Sequence, residues 1–125
     1  MSSILIVEDE VALLDLVWQY LQNRKYGVLT AKDGREGVEV FRQHPKKIQL
    51  VISDLAMPGM NGLECRERIL ALEPNVRFLF MSGFPEQIVG RHERSLEGCE
   101  FLPKPFRLDQ LIDKVGRLLS KDAAA

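Results

Sequence analysis

Short apolar runs alternate along the chain with longer stretches whose apolar residues recur every third or fourth position. The runs are Ile4–Val7, Val28–Ala31, Leu50–Ser53, Phe78–Met81 and a weaker Cys99–Leu102. Their brevity and lack of polar alternation fit strands buried on both faces, the condition of a parallel sheet. Strand and helix patterns in this order predict an α/β fold: a doubly wound sheet of five parallel strands covered on both faces by five helices.

The helical stretches carry their own punctuation. Val11 to Arg24 puts Leu14, Val17 and Leu21 on one face and Asp15, Gln19 and Gln22 on the other. Asp33 is placed to cap the second helix, with Glu36 three residues on in the manner of a capping box and Val38 and Phe41 facing inward. Asn61 precedes a third helix, in which Cys65, Ile69 and Leu72 share a face and which Pro74 ends. A fourth, short and polar, is expected over Glu86–Glu97. The last is the clearest, with Leu108, Leu111, Ile112, Val115, Leu118 and Leu119 in a continuous stripe. Residues 1–121 read as one domain and 122–125 as a tail.

Composition then removes whole classes of function. A chain of 125 residues suffices for a single core, and a formal net charge of -1 leaves no electrostatic footprint for nucleic acid or an anionic membrane. No apolar stretch approaches the roughly 20 residues of a membrane span. The N-terminus, MSSILIVEDE, turns acidic after four apolar residues, unlike a secretory signal. Cys65 and Cys99 lack the paired spacing of zinc ligands and read as reduced thiols, Cys65 as a small buried hydrophobe. A cytoplasmic location is expected, either alone or as a cytoplasmic part of something larger.

Open parallel sheets bind ligands beyond the carboxyl ends of their strands. Here the first strand is followed by Glu8, Asp9 and Glu10, the third ends in Ser53 and Asp54, the fourth in Ser82 and Gly83, and the fifth in Lys104 and Pro105. Carboxylates brought together raise one another's pKa unless a cation neutralises them. Oxygen donors without histidine or cysteine point to magnesium, with manganese as the alternative, rather than zinc. A lysine and a hydroxyl beside them suit a phosphate. Alone, the acids would read as a helix cap, Ser82 as a turn residue and Lys104 as a solvated charge; four strand ends with complementary groups favour a site. Neither His44 nor His92 lies at a strand end with acids beside it, and both read as surface residues, with Trp18 and Tyr20 as packing or docking surface.

The segments ILIVEDE, SDLAMPGMNG, FMSG and FLPKPF, in that order and spacing, resemble the receiver domains of response regulators and hybrid histidine kinases over essentially the whole chain. The resemblance implies a flavodoxin-like sheet in the order 2-1-3-4-5 and a phosphoryl group accepted by Asp54 from a phosphohistidine. It implies metal ligation by Asp9 and Asp54 directly, by Glu8 through a bound water, and by the backbone carbonyl of Ala56. Ser82 matches the hydroxyl that moves toward the phosphate, Lys104 the lysine that pairs with it, and Phe101 the switch aromatic. The Lys104–Pro105 bond resembles the family's cis peptide. Implied partners are a sensor histidine kinase or histidine phosphotransfer domain, and a downstream protein or fused domain.

Three positions depart from the commoner family residues: Glu8 for aspartate, Ser82 for threonine and Phe101 for tyrosine. Ala56 and Phe84 offer no side chain to orient a water, so unusually fast self-dephosphorylation is not expected. Such a domain promotes its own phosphorylation without being a turnover enzyme. A phosphorylation-independent module of the same fold is the alternative, but such modules usually lose an acid or the lysine. No GxGxxG or GxxxxGK[ST] loop supports a nucleotide-binding enzyme, and an aspartate-nucleophile phosphatase would want a second aspartate where Ala56 stands. The run from MSGFPE to CEFLPKPFRLDQLIDKV looks more like receivers fused to hybrid histidine kinases than like those joined to DNA-binding domains.

Overall fold

The five apolar runs form five parallel strands: β1 (Ser3–Val7), β2 (Gly27–Ala31), β3 (Ile48–Asp54), β4 (Arg77–Ser82) and β5 (Glu100–Pro103). The computed structural model describes residues 3–83 and 99–124, with side chains as far as 120. The strands lie in the order β2-β1-β3-β4-β5, as expected. Val7 stands between Ala31 and Ser53, Asp54 opposite Met81, and Ser82 opposite Pro103.

Four helices are present among the described residues: α1 (Val11–Asn23), α2 (Gly34–Gln43), α3 (Gly62–Leu72) and α4 (Leu108–Ala124). The helix expected over Glu86–Glu97 lies outside the described residues, with Phe84 and His92. Helix α4 runs on into the residues read as a tail.

The period of two along each strand divides the core into layers. Leu5, Val7, Val51, Leu55, Phe78 and Phe80 face α2 and α3, where Val38, Phe41, Cys65 and Ile69 meet them. Ile4, Ile6, Leu50, Ile52, Leu79 and Met81 face α1 and α4, against Leu14, Val17, Leu21, Leu111, Val115 and Leu118. Continuous apolar strands are thus needed because both faces are covered.

Capping fixes where the helices begin. Asp33 Oδ1 accepts from the Glu36 amide at 2.8 Å, and Asn61 Oδ1 from the Glu64 amide at 2.9 Å. The expected capping box is displaced by one residue, because the Glu36 carboxylate accepts from the Lys32 amide, at 3.3 Å, rather than from that of Asp33. Helix α3 stops at Leu72, with Glu73 extended as the residue before a proline tends to be. Leu72 itself is 41% exposed, contrary to its expected place on the inner face. It occupies the final turn, and Val76, arriving after the bend, enters the core instead.

Candidate functional site

Because β1 and β3 are neighbours, the residues that follow one are brought against the end of the other. Glu8 is fully buried, Asp54 is 7% exposed, and Asp9 is exposed at the mouth. Each offers a carboxylate oxygen within 4.8 Å of the others. Lys104 enters from the β5 side, its Nζ 3.2 Å from Glu8 Oε1 and 3.1 Å from Asp54 Oδ2. Its own amide donates to the Ser82 carbonyl at 2.7 Å, and its peptide bond to Pro105 is cis. Ser82, buried at the end of β4, completes the edge. Five residues singled out in the sequence, Glu8, Asp9, Asp54, Ser82 and Lys104, therefore share one rim of the sheet.

Three carboxylates against one ammonium leave a formal excess of two negative charges when all are ionised. Burial, reinforced by the charge of Asp54, pushes Glu8 from its ordinary 4.5 up to about 7, although the Glu10 amide at 2.9 Å and Lys104 oppose the shift. Burial alone would lower the pKa of Lys104, but Asp54 and then Glu8 outweigh it and hold the ammonium above its ordinary value. Excess negative charge, oxygen-only donors and their mutual approach fit a hard divalent cation. His44 has no part in this; it forms the C-cap of α2.

The backbone beneath Asp54 is closely tied. The Leu55 amide donates to the Met81 carbonyl at 3.1 Å, and the Gly62 amide to the Leu55 carbonyl at 2.9 Å. The Ala56 amide lies 3.3 Å from Asp54 Oδ1. A Cβ on Gly62 would collide with the Asp54 carbonyl and stand 2.9 Å from Leu55 Cα, so the start of α3 presses on the peptide that follows Asp54. Gly59 turns the intervening loop at φ +77°, in the region that favours glycine.

Phe101 is half-buried, its ring 6.0 Å from that of Phe80, which in turn lies 5.6 Å from Phe78. Cys65 is buried as expected, its thiol pushed up to about 12 by desolvation. Trp18 packs against the core, while Tyr20 carries Arg24 on its ring. Two features were not anticipated from sequence. Lys104 bridges Glu8 as well as Asp54, and the Ser53 hydroxyl donates to the Asp54 carbonyl at 2.9 Å. The lone signal for the second was a serine directly after the apolar residues Leu50, Val51 and Ile52.

The sequence profile of the response regulator receiver domain matches residues 4–116. The chain is 34% identical over 120 residues to the sensor kinase CckA of Brucella abortus, covering 96% of this chain but 13% of that protein. It is 26% identical to sporulation initiation phosphotransferase F of Bacillus subtilis, covering 94% of both. Among solved structures, response regulator protein TrrA from Thermotoga maritima, in complex with Mg2+ and BeF, superposes with a TM-score of 0.80 at 30% identity, over 94% of this chain and 99% of that one.

Proposed function

The chain belongs to the response regulator receiver domain family, a module of two-component signalling, and on that footing we propose that Asp54 is its phosphoacceptor. The observation that carries this is the contact of Asp54 Oδ2 with Lys104 Nζ at a rim shared with two further acids and a buried hydroxyl. An Asp54 oxygen attacks phosphorus in line, the P–N bond of a donor phosphohistidine breaks, and an acyl phosphate remains on the aspartate. Lys104, already in place, neutralises a phosphoryl oxygen, and Ser82 donates its hydroxyl to another.

Glu8, Asp9, Asp54 and the carbonyl of Ala56 would hold a magnesium ion, with manganese as a substitute, supplying positive charge against the transferring oxygens. The crowding of three acids supports this, and the TrrA complex shows a structural relative holding Mg2+ and BeF. Phosphorylation then recruits Lys104 away from Glu8 and biases Ser82 and Phe101 toward a second arrangement. Moving a two-state population from 1:99 to 99:1 takes about 5.5 kcal/mol of differential stabilisation, on the scale of a few charge-assisted contacts.

The donor is proposed to be a sensor histidine kinase or histidine phosphotransfer domain, and the output another protein or domain. Attachment to a hybrid sensor kinase is the proposed context, on the likeness to CckA. No described helix is long and apolar enough to cross a membrane.

The protein is incubated with magnesium and either acetyl phosphate or beryllofluoride and followed by intact mass and fluorescence. Modification that requires magnesium and is lost in Asp54→Asn is expected. Full labelling of Asp54→Asn, or an unchanged mass with no spectral response in the wild type, refutes the assignment.

A further inference from the structure

We infer that Ser53 is a positioning residue for the acceptor: its buried hydroxyl fixes the Asp54–Leu55 peptide so that the Asp54 carboxylate and the Ala56 carbonyl present themselves to one site. The inference rests on the phosphoacceptor reading above and goes beyond it.

Ser53 is fully buried and lies in register between Val7 of β1 and Phe80 of β4, on the layer that faces α2 and α3. Its neighbours in that layer, Val51 on β3 and Leu55 just beyond the strand's end, are apolar core residues. A hydroxyl there gives up hydration that an alanine or valine would not, so packing does not call for it. What it gains is a 2.9 Å hydrogen bond to the carbonyl of Asp54.

That carbonyl lies one residue past the last pairing of β1 with β3, which ends at Val7 opposite Ser53. Gly62 closes on it from the start of α3 so tightly that no Cβ fits. On the other side of the same peptide group the Leu55 amide donates to the Met81 carbonyl, and the Leu55 carbonyl of the next group accepts from the Gly62 amide. Ser53 supplies a second tie on the Asp54–Leu55 plane, from the carbonyl side, and the tilt of that plane bears on the Cα of Asp54 at one end and, through Leu55, on Ala56 at the other. Reactions that depend on in-line approach are sensitive to misplacement of this kind.

The test compares Ser53→Ala with the isosteric pair Ser53→Thr and Ser53→Val, which differ from each other by the hydroxyl alone. Three quantities are read: the melting temperature without metal, the Mg2+ dissociation constant by calorimetry, and the rate of labelling by acetyl phosphate at saturating Mg2+. Ser53→Ala is expected to weaken Mg2+ binding and slow labelling roughly five- to tenfold, with a melting temperature near that of the wild type. Ser53→Thr should hold both site readouts closer to wild type than Ser53→Val does. Wild-type Mg2+ affinity and labelling in Ser53→Ala would overturn the role, as would Thr and Val variants alike in all three. If Ser53→Ala does not fold, the Thr and Val pair decides alone. A wild type that neither binds Mg2+ nor is labelled refutes the phosphoacceptor reading itself, and the positioning role with it.

Discussion

Lys104 Nζ stands 3.1 Å from Asp54 Oδ2, so the carboxylate proposed to receive a phosphoryl group is already paired with the cation that would neutralise it. The same ammonium touches Glu8, which makes it a counter-ion for two acids before any reaction. Substitution Lys104→Ala is therefore expected to lower metal-free stability by about 2 kcal/mol, less than a fully buried pair would lose because 24% of the Lys104 side chain is exposed. Some labelling of Asp54 should persist, while the change in amide exchange near Ser82 and Phe101 on adding beryllofluoride should vanish. An equal exchange response in wild type and variant would make the lysine dispensable to the switch.

Relief of repulsion gives a second expectation. Without metal, Asp9→Asn should raise the melting temperature, since it removes a charge from a cluster with two negative charges in excess. Asp54→Asn should raise it less, because it also gives up a contact with Lys104. Both variants should lose most of the stabilisation that magnesium confers on the wild type. Melting curves with and without MgCl2 check this, and a fall in metal-free stability for both would count against a repulsive cluster.

Glu8 makes the metal-free protein sensitive to pH in a definite direction. Its carboxyl is pushed above the ordinary 4.5 to about 7, chiefly by burial, so the folded state holds the proton more tightly than the unfolded chain. The contribution is fully present below pH 4.5 and is lost as pH rises through 7. Urea denaturation without metal should show this decline between those values, and Glu8→Gln should flatten it. An undiminished slope in Glu8→Gln would assign the dependence to another group.

Two glycines near Asp54 separate steric from conformational demands. Gly62→Ala must displace the Asp54 carbonyl or Leu55 and should cost about 3 kcal/mol and impair Mg2+ binding. Gly59→Ala meets nothing within 4 Å, so only its positive φ resists, for about 1 kcal/mol and with Mg2+ affinity retained. Equilibrium unfolding with parallel Mg2+ titrations distinguishes them; similar binding losses in both would mean that the loop, not the close approach, sets the site.

The strand pattern was readable because a parallel sheet covered on both faces needs uninterrupted apolar runs, and Ile4–Val7 or Leu50–Ser53 have little other use. The helix starts were readable because Asp33 and Asn61 have short side chains whose oxygens accept from the amide three residues ahead. Leu72 misled because periodicity reports a face and not whether core still lies beneath the last turn. At the site, sequence placed complementary groups on one edge through strand adjacency. It did not reveal that Lys104 reaches Glu8, which depends on side-chain length across three strands, nor that Ser53 serves the neighbouring peptide. Such contacts arise from register, which single-chain spacing does not encode.

The strand order has a consequence for when the chain becomes chemically competent. Glu8 and Lys104 touch although 96 residues separate them, and Asp54 meets Lys104 across 50. Nothing local holds either contact, so during synthesis the acids of β1 and β3 must wait for β5 to emerge and close the sheet. A nascent chain that presents Asp54 has as yet no ammonium beside it. The proposed response to phosphorylation would thereby be tied to completion of the fold: a truncated copy, like Lys104→Ala, keeps Asp54 but lacks the cation through which the change would be relayed, and so stays silent without any separate device for recognising it.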